Sequence, residues 1–127
     1  MVESLILPVW QSKDTTQLPA LLADGVTFSS PVADYHGRAR AAHLLATIAT
    51  VLDSVQQTRQ WTDGQQRIFA FTARFADQEL QGVLREELSE TGSLTHVTLF
   101  LRPYRALRAA IAEMARRLED SPPPQAA

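Results

Sequence analysis

The stretch from Ser93 to Arg117, SLTHVTLFLRPYRALRAAIAEMARR, constrains this chain most, because its hydrophobic period changes partway along. Up to Leu101 it is rich in β-branched and bulky apolar residues, as a sheet strand is. Beyond Pro103, Tyr104, Leu107, Ile111, Met114 and Leu118 recur at three- and four-residue steps and mark one apolar helix stripe. Pro103 marks the switch, since the N–H it lacks would have no partner in the first turn of a helix. Both faces of the strand are largely apolar. Helices must cover one of them, and something else the other.

A chain of 127 residues makes one domain and buries about two-thirds of the surface its unfolded form exposes. It has no cysteine, which excludes disulfides and thiolate chemistry and fits a reducing compartment. The formal charge of -2 and scattered arginines give no field for nucleic acid. The apolar run LILPVW is too short for a signal-peptide core or a membrane span, so a soluble cytoplasmic protein without membrane attachment is expected. Three histidines with no HxxxH spacing predict no metal, and nothing points to a cofactor.

Residues 1–13 read as an arm or short helix, 14–119 as the domain, and 120–127, ending SPPPQAA, as a disordered tail. A short helix is predicted from Asp14 or Thr15, with Gly25 as its left-handed cap, followed by a strand from Val26 to Ser30. A second helix over 38–53 places Ala41, Leu44, Leu45, Ile48 and Leu52 on one side. Strands are predicted at 55–62, 65–76, 79–89 and 94–101, with Asp63-Gly64 as a hairpin signal and Gly82 as a bulge or bend. Phe69, Phe71, Ala73 and Phe75 share one strand face. Leu80, Gly82, Leu84, Glu86 and Leu88 share one on the next. The fold class is α+β, a curved antiparallel sheet wrapped around helices.

The segments LLADGV, TFSSPVADYHGR, QGVLREELSETGSL and FLRPYRAL, in that order, resemble the nuclear transport factor 2-like, SnoaL-like superfamily over about residues 14 to 118. The resemblance implies a cone-shaped α+β barrel with a cavity between sheet and helices, and a homodimer formed through the outer sheet face. Its known mechanisms do not carry over. The general-base Asp of ketosteroid isomerases falls at Ser30, their buried second acid at Leu84 and their Tyr near Ile6. The Arg-x-Asp pair of limonene epoxide hydrolases falls at Arg74 and Ala76, and Leu94 to Leu101 has no carboxylate for a SnoaL-type cyclase.

Glu86 is the one acid in phase with the inner apolar positions, where desolvation would raise its pKa and suit it to acid or base work. A one-residue slip of strand phase would instead turn it to solvent. His96 falls on the face carrying Leu94, Thr98, Phe100 and Arg102, either as a proton acceptor or as an interface histidine. Tyr35 and His36 lie on a loop at the expected mouth. Arg102 either pairs with Glu86, binds an anionic ligand, or holds a structural turn. Glu86, His96 and His36 are thus the catalytic candidates, and Tyr35, Trp61, Phe69, Phe71, Leu84 and Arg102 the ligand-binding ones. Three functions stay open: a domain binding a small, largely apolar molecule; an isomerase, polyketide cyclase-like enzyme or hydrolase using Glu86 with a histidine; or a structural or interaction domain with a filled cavity.

Overall fold

The computed structural model describes residues 3–124. In chain order the elements are α1 (Leu7–Ser12), α2 (Leu18–Leu21), β1 (Leu22–Ser29), β2 (Asp34–His36), α3 (Arg38–Val51), β3 (Asp53–Asp63), β4 (Gln66–Phe75), β5 (Gln78–Leu88), β6 (Leu94–Arg102) and α4 (Tyr104–Asp120). One six-stranded sheet runs β2-β1-β6-β5-β4-β3. The four long strands form the expected antiparallel meander, and β1 joins it parallel to β6. The class is α+β with a curved sheet, but the sheet does not close into a barrel, since β2 and β3 remain its two ends.

Alternation decides which side chains meet. Phe69, Phe71 and Ala73 of β4 and Leu80, Leu84 and Glu86 of β5 point inward and are buried against α1 and α3. At the β3–β4 hairpin Asp63 pairs with Gln66, and Gly64 supplies the left-handed first loop position with φ 61°. Trp10 of α1 fills the core beside Phe71, its ring 5.8 Å away edge-on, and donates its indole N–H to Leu45 O at 3.0 Å. Lys13, left-handed at φ 62°, ends α1 and reaches across to the end of α3. Its Nζ donates to Ala49 O and Leu52 O, each at 2.7 Å, and lies 3.1 Å from Asp53. Free carbonyls at a helix C-terminus favour a cation there.

Several expectations need correcting. The helix predicted from Asp14 begins only at Leu18, because Asp14 Oδ1 accepts from Thr16 N and Oγ1 and holds a local turn instead. Gly25 is not a helix cap. It lies inside β1, in an irregular stretch between the Leu22–Leu94 and Thr27–His96 pairs. Gly82 makes no bulge, since the β4–β5 register runs unbroken through it. The irregularity falls instead between Glu87 and Leu88, so Leu94 is turned into the core while His96 faces outward. Tyr104 is 73% exposed and leaves the α4 stripe, whose closest packing comes from Ala106 and Ala110. Asp120 is helical, Ser121 to Pro124 carry no regular structure, and the rest of the predicted tail, with residues 1 and 2 of the predicted arm, lies outside the described residues.

The side of α4 that carries Arg105, Arg108 and Arg116 is exposed. Glu113 accepts from Arg116 Nε and Nη2 at 3.0 and 2.6 Å and from Arg117 Nε at 2.7 Å, and these bonds hold its pKa down to about 2. Among the described residues no helix is long and apolar enough to cross a membrane.

Candidate ligand-binding cavity

The turn after β1 is built by Ser30. Its Oγ accepts from Val32 N and Ala33 N at 3.1 Å each and donates to Ala33 O at 3.0 Å, while its own N–H donates to Ala33 O at 2.9 Å. This turn brings Pro31 and Val32 over the end of the sheet and sends the chain back as β2. There Tyr35 pairs with Phe28, and their rings stack with centroids 6.2 Å apart. Behind them run Leu44 and Ile48 of α3. Opposite stand Leu107, Ile111, Met114 and Leu118 of α4, with Leu99 and Leu101 of β6 as the floor. Together they enclose a cavity of about 200 Å³. Only small alanines of α4 seat tightly, so its larger side chains remain half-buried along the opening rather than closing it. Among the described residues no charged side chain lines the cavity.

Glu86 is turned inward and is fully buried, but it lies outside this cavity. Its carboxylate faces the segment before α1, where Oε1 accepts from Leu5 N at 2.9 Å, and Oε2 accepts from Ile6 N at 3.2 Å and from Ser4 Oγ. Ser4 Oγ in turn accepts from Ile6 N at 3.2 Å and Leu7 N at 2.9 Å, a local side-chain turn that leads into α1. Burial pushes the Glu86 pKa up. The bonds from Leu5, Ser4 and Ile6 and the charge of Arg67 pull the other way. Arg102 does not pair with it: its Nη1 donates to Gln81 Oε1, and Gln81 is its partner across the outer sheet face.

The three catalytic candidates are not brought together. His96 lies on the outer face, with Nε2 2.8 Å from Ser29 Oγ and Nδ1 3.5 Å from Glu87 Oε2. His36 is exposed on β2, its Nδ1 3.1 Å from Thr27 Oγ1. Of the ligand-binding candidates Tyr35 lines the cavity. Phe69, Phe71 and Leu84 are core residues beyond its wall, and Trp61 is 49% exposed beneath the guanidinium of Arg59. The α4 stripe carried the missed signal. Its period showed that Leu107, Ile111, Met114 and Leu118 share a face, but not that the face borders empty space. Among the described residues no three His, Asp or Glu side chains converge to hold a metal ion.

No protein-family model and no curated protein matches this chain. Solved structures do. A steroid delta-isomerase from Pseudomonas aeruginosa is 30% identical, with a TM-score of 0.84, over 89% of this chain and 85% of that one. An uncharacterized protein with a cystatin-like fold from Silicibacter pomeroyi DSS-3 is 24% identical, with a TM-score of 0.86, over 91% and 84%. The epoxide hydrolase/cyclase-like enzyme SalBIII shares the fold at 14% identity, with a TM-score of 0.66 over 80% and 87%. The chain belongs to the nuclear transport factor 2-like, SnoaL-like superfamily.

Proposed function

We propose that this protein binds a small, largely apolar molecule in the cavity between α3, α4 and the β1–β6 end of the sheet. The observation that carries this reading is about 200 Å³ of space walled by aliphatic and aromatic side chains, with only the Ser30 and Tyr35 hydroxyls as side-chain polar groups. The steroid delta-isomerase similarity raises an enzymatic alternative. Proton transfer in the cavity would need a base, yet Glu86 is engaged by Ser4, Leu5 and Ile6 elsewhere, and the Ser30 hydroxyl is committed to its own turn. Binding therefore fits the site better than turnover. Naphthalene is expected to shift the methyl resonances of Leu44, Ile48, Leu99, Ile111 and Met114 saturably, and Ile111→Trp should weaken its binding about tenfold or more by filling the space. Unperturbed methyls at saturating naphthalene would refute the reading.

We also propose a homodimer through the outer sheet face, supported by Phe100 at 58% exposure and Trp61 at 49% on that face. Phe100→Glu is expected to yield monomers by light scattering. A wild-type monomer at high micromolar concentration would refute it. The cysteine-free sequence supports a cytoplasmic location.

A further inference from the structure

The cavity lining is apolar but for the Ser30 and Tyr35 hydroxyls, and the α3 face that forms its wall ends in a cation. Arg40, Leu44 and Ile48 follow at four-residue steps, each about 40° further round the helix, so Arg40 continues the lining stripe by one turn beyond Leu44. Its guanidinium carbon lies 5.5 Å from the ring centroid of Tyr35, a residue that itself lines the cavity. That places the guanidinium beside the aromatic wall formed by Tyr35 and Phe28.

This cation lacks a counterpart. Its Nε is buried, and among the described residues it has no hydrogen-bond partner and no carboxylate within ion-pair distance. Asp24, on the neighbouring strand β1, pairs with Arg38 at 2.7 Å instead. Arg40 also stands in the first turn of α3, a turn with no acidic residue, where free backbone N–H groups add positive potential. A desolvated guanidinium N–H without an acceptor is costly, and its planar fork matches a carboxylate.

Resting on the cavity reading above, we propose that the ligand is an amphipathic anion. Its apolar body lies among the α3 and α4 side chains, and its carboxylate is held at the cavity edge by Arg40 against Tyr35. A neutral hydrocarbon fills the space but leaves Arg40 unpaired; the anion satisfies both.

The test is a matched pair of probes, naphthalene-2-carboxylate and naphthalene-2-carboxamide, titrated calorimetrically into the full chain and into Arg40→Gln and Arg40→Lys. Wild-type protein should bind the carboxylate about tenfold or more tightly than the amide, as a charge-assisted hydrogen bond requires. Arg40→Gln should abolish the preference and still bind the amide measurably, and naphthalene should perturb the Leu99 and Ile111 methyls in it as in wild type, which shows that the cavity is intact. Arg40→Lys should retain part of it. Equal affinities in wild-type protein, or a preference that survives Arg40→Gln, would overturn the anion proposal and leave the cavity reading standing. Failure of both probes to enter the cavity would overturn both.

Discussion

Glu86→Ala is expected to destabilise the protein by about 3 kcal/mol, because hydrogen bonds to charged groups and buried donors left unpaired each cost on that scale. The side chain is fully buried, and it accepts the Leu5 and Ile6 amides at 2.9 and 3.2 Å and the Ser4 hydroxyl. Removing it orphans the Leu5 amide, leaves the Ile6 amide only its 3.2 Å bond to Ser4 Oγ, and loosens the segment that delivers Leu7, Val9 and Trp10 to the core. Amide exchange of residues 5–10 should accelerate together with the loss of stability. Unchanged protection of Leu5 and Ile6 would show that the carboxylate does not hold the segment.

Glu86→Gln keeps the shape and one acceptor oxygen, so a smaller loss, about 1 kcal/mol, is expected. Its pH dependence has a definite sign. Burial raises the folded pKa of Glu86 above the ordinary value of 4.5, so the folded chain holds the proton more tightly than the unfolded one. The stability this supplies is complete below pH 4.5 and is lost as pH rises through the folded pKa. Wild-type protein should therefore lead Glu86→Gln by more at acid pH than at neutral pH. An advantage that grew with pH would reverse the assignment.

What the sequence made legible was local and periodic. Two-residue alternation placed Glu86 with Leu80 and Leu84 on the inner face, and Gly64 marked the hairpin, because pleat and turn geometry depend on neighbours in the chain. What it hid was set by distant partners. Nothing near Glu86 signals that Ser4, Leu5 and Ile6, some eighty positions earlier, supply its donors, and nothing near Gly25 shows that β1 is drawn into a parallel pair with β6. A one-residue irregularity beside Leu88 was enough to part Leu94 from His96 and Phe100. The cavity was concealed for a related reason. An apolar stripe looks the same whether it meets a packed neighbour, as at Ala110, or the space beside Ile111 and Met114.

Gly82 illustrates the same limit and carries the second large effect. A glycine within a strand suggests a bulge, but Gly82 pairs in register with Phe71, and its φ lies outside the left-handed range. Alanine is therefore allowed by the backbone, and in a flexible setting the change would stabilise by up to about 1 kcal/mol through the unfolded chain. Space decides otherwise. The Phe71 ring lies across the position of the missing Cβ, which would fall under 3.0 Å from three ring carbons. The ring is buried and abuts Trp10, so it has no vacant direction in which to turn. Gly82→Ala should then cost about 2–3 kcal/mol, the scale of an overpacked core. Shortening the ring in Phe71→Leu removes the clash at the expense of buried area, so the double variant should be more stable than the sum of the two single losses predicts by about 1 kcal/mol or more. Urea unfolding of the four proteins measures this directly. Strict additivity, or a Gly82→Ala protein as stable as wild type, would mean that the glycine is not there to seat the ring.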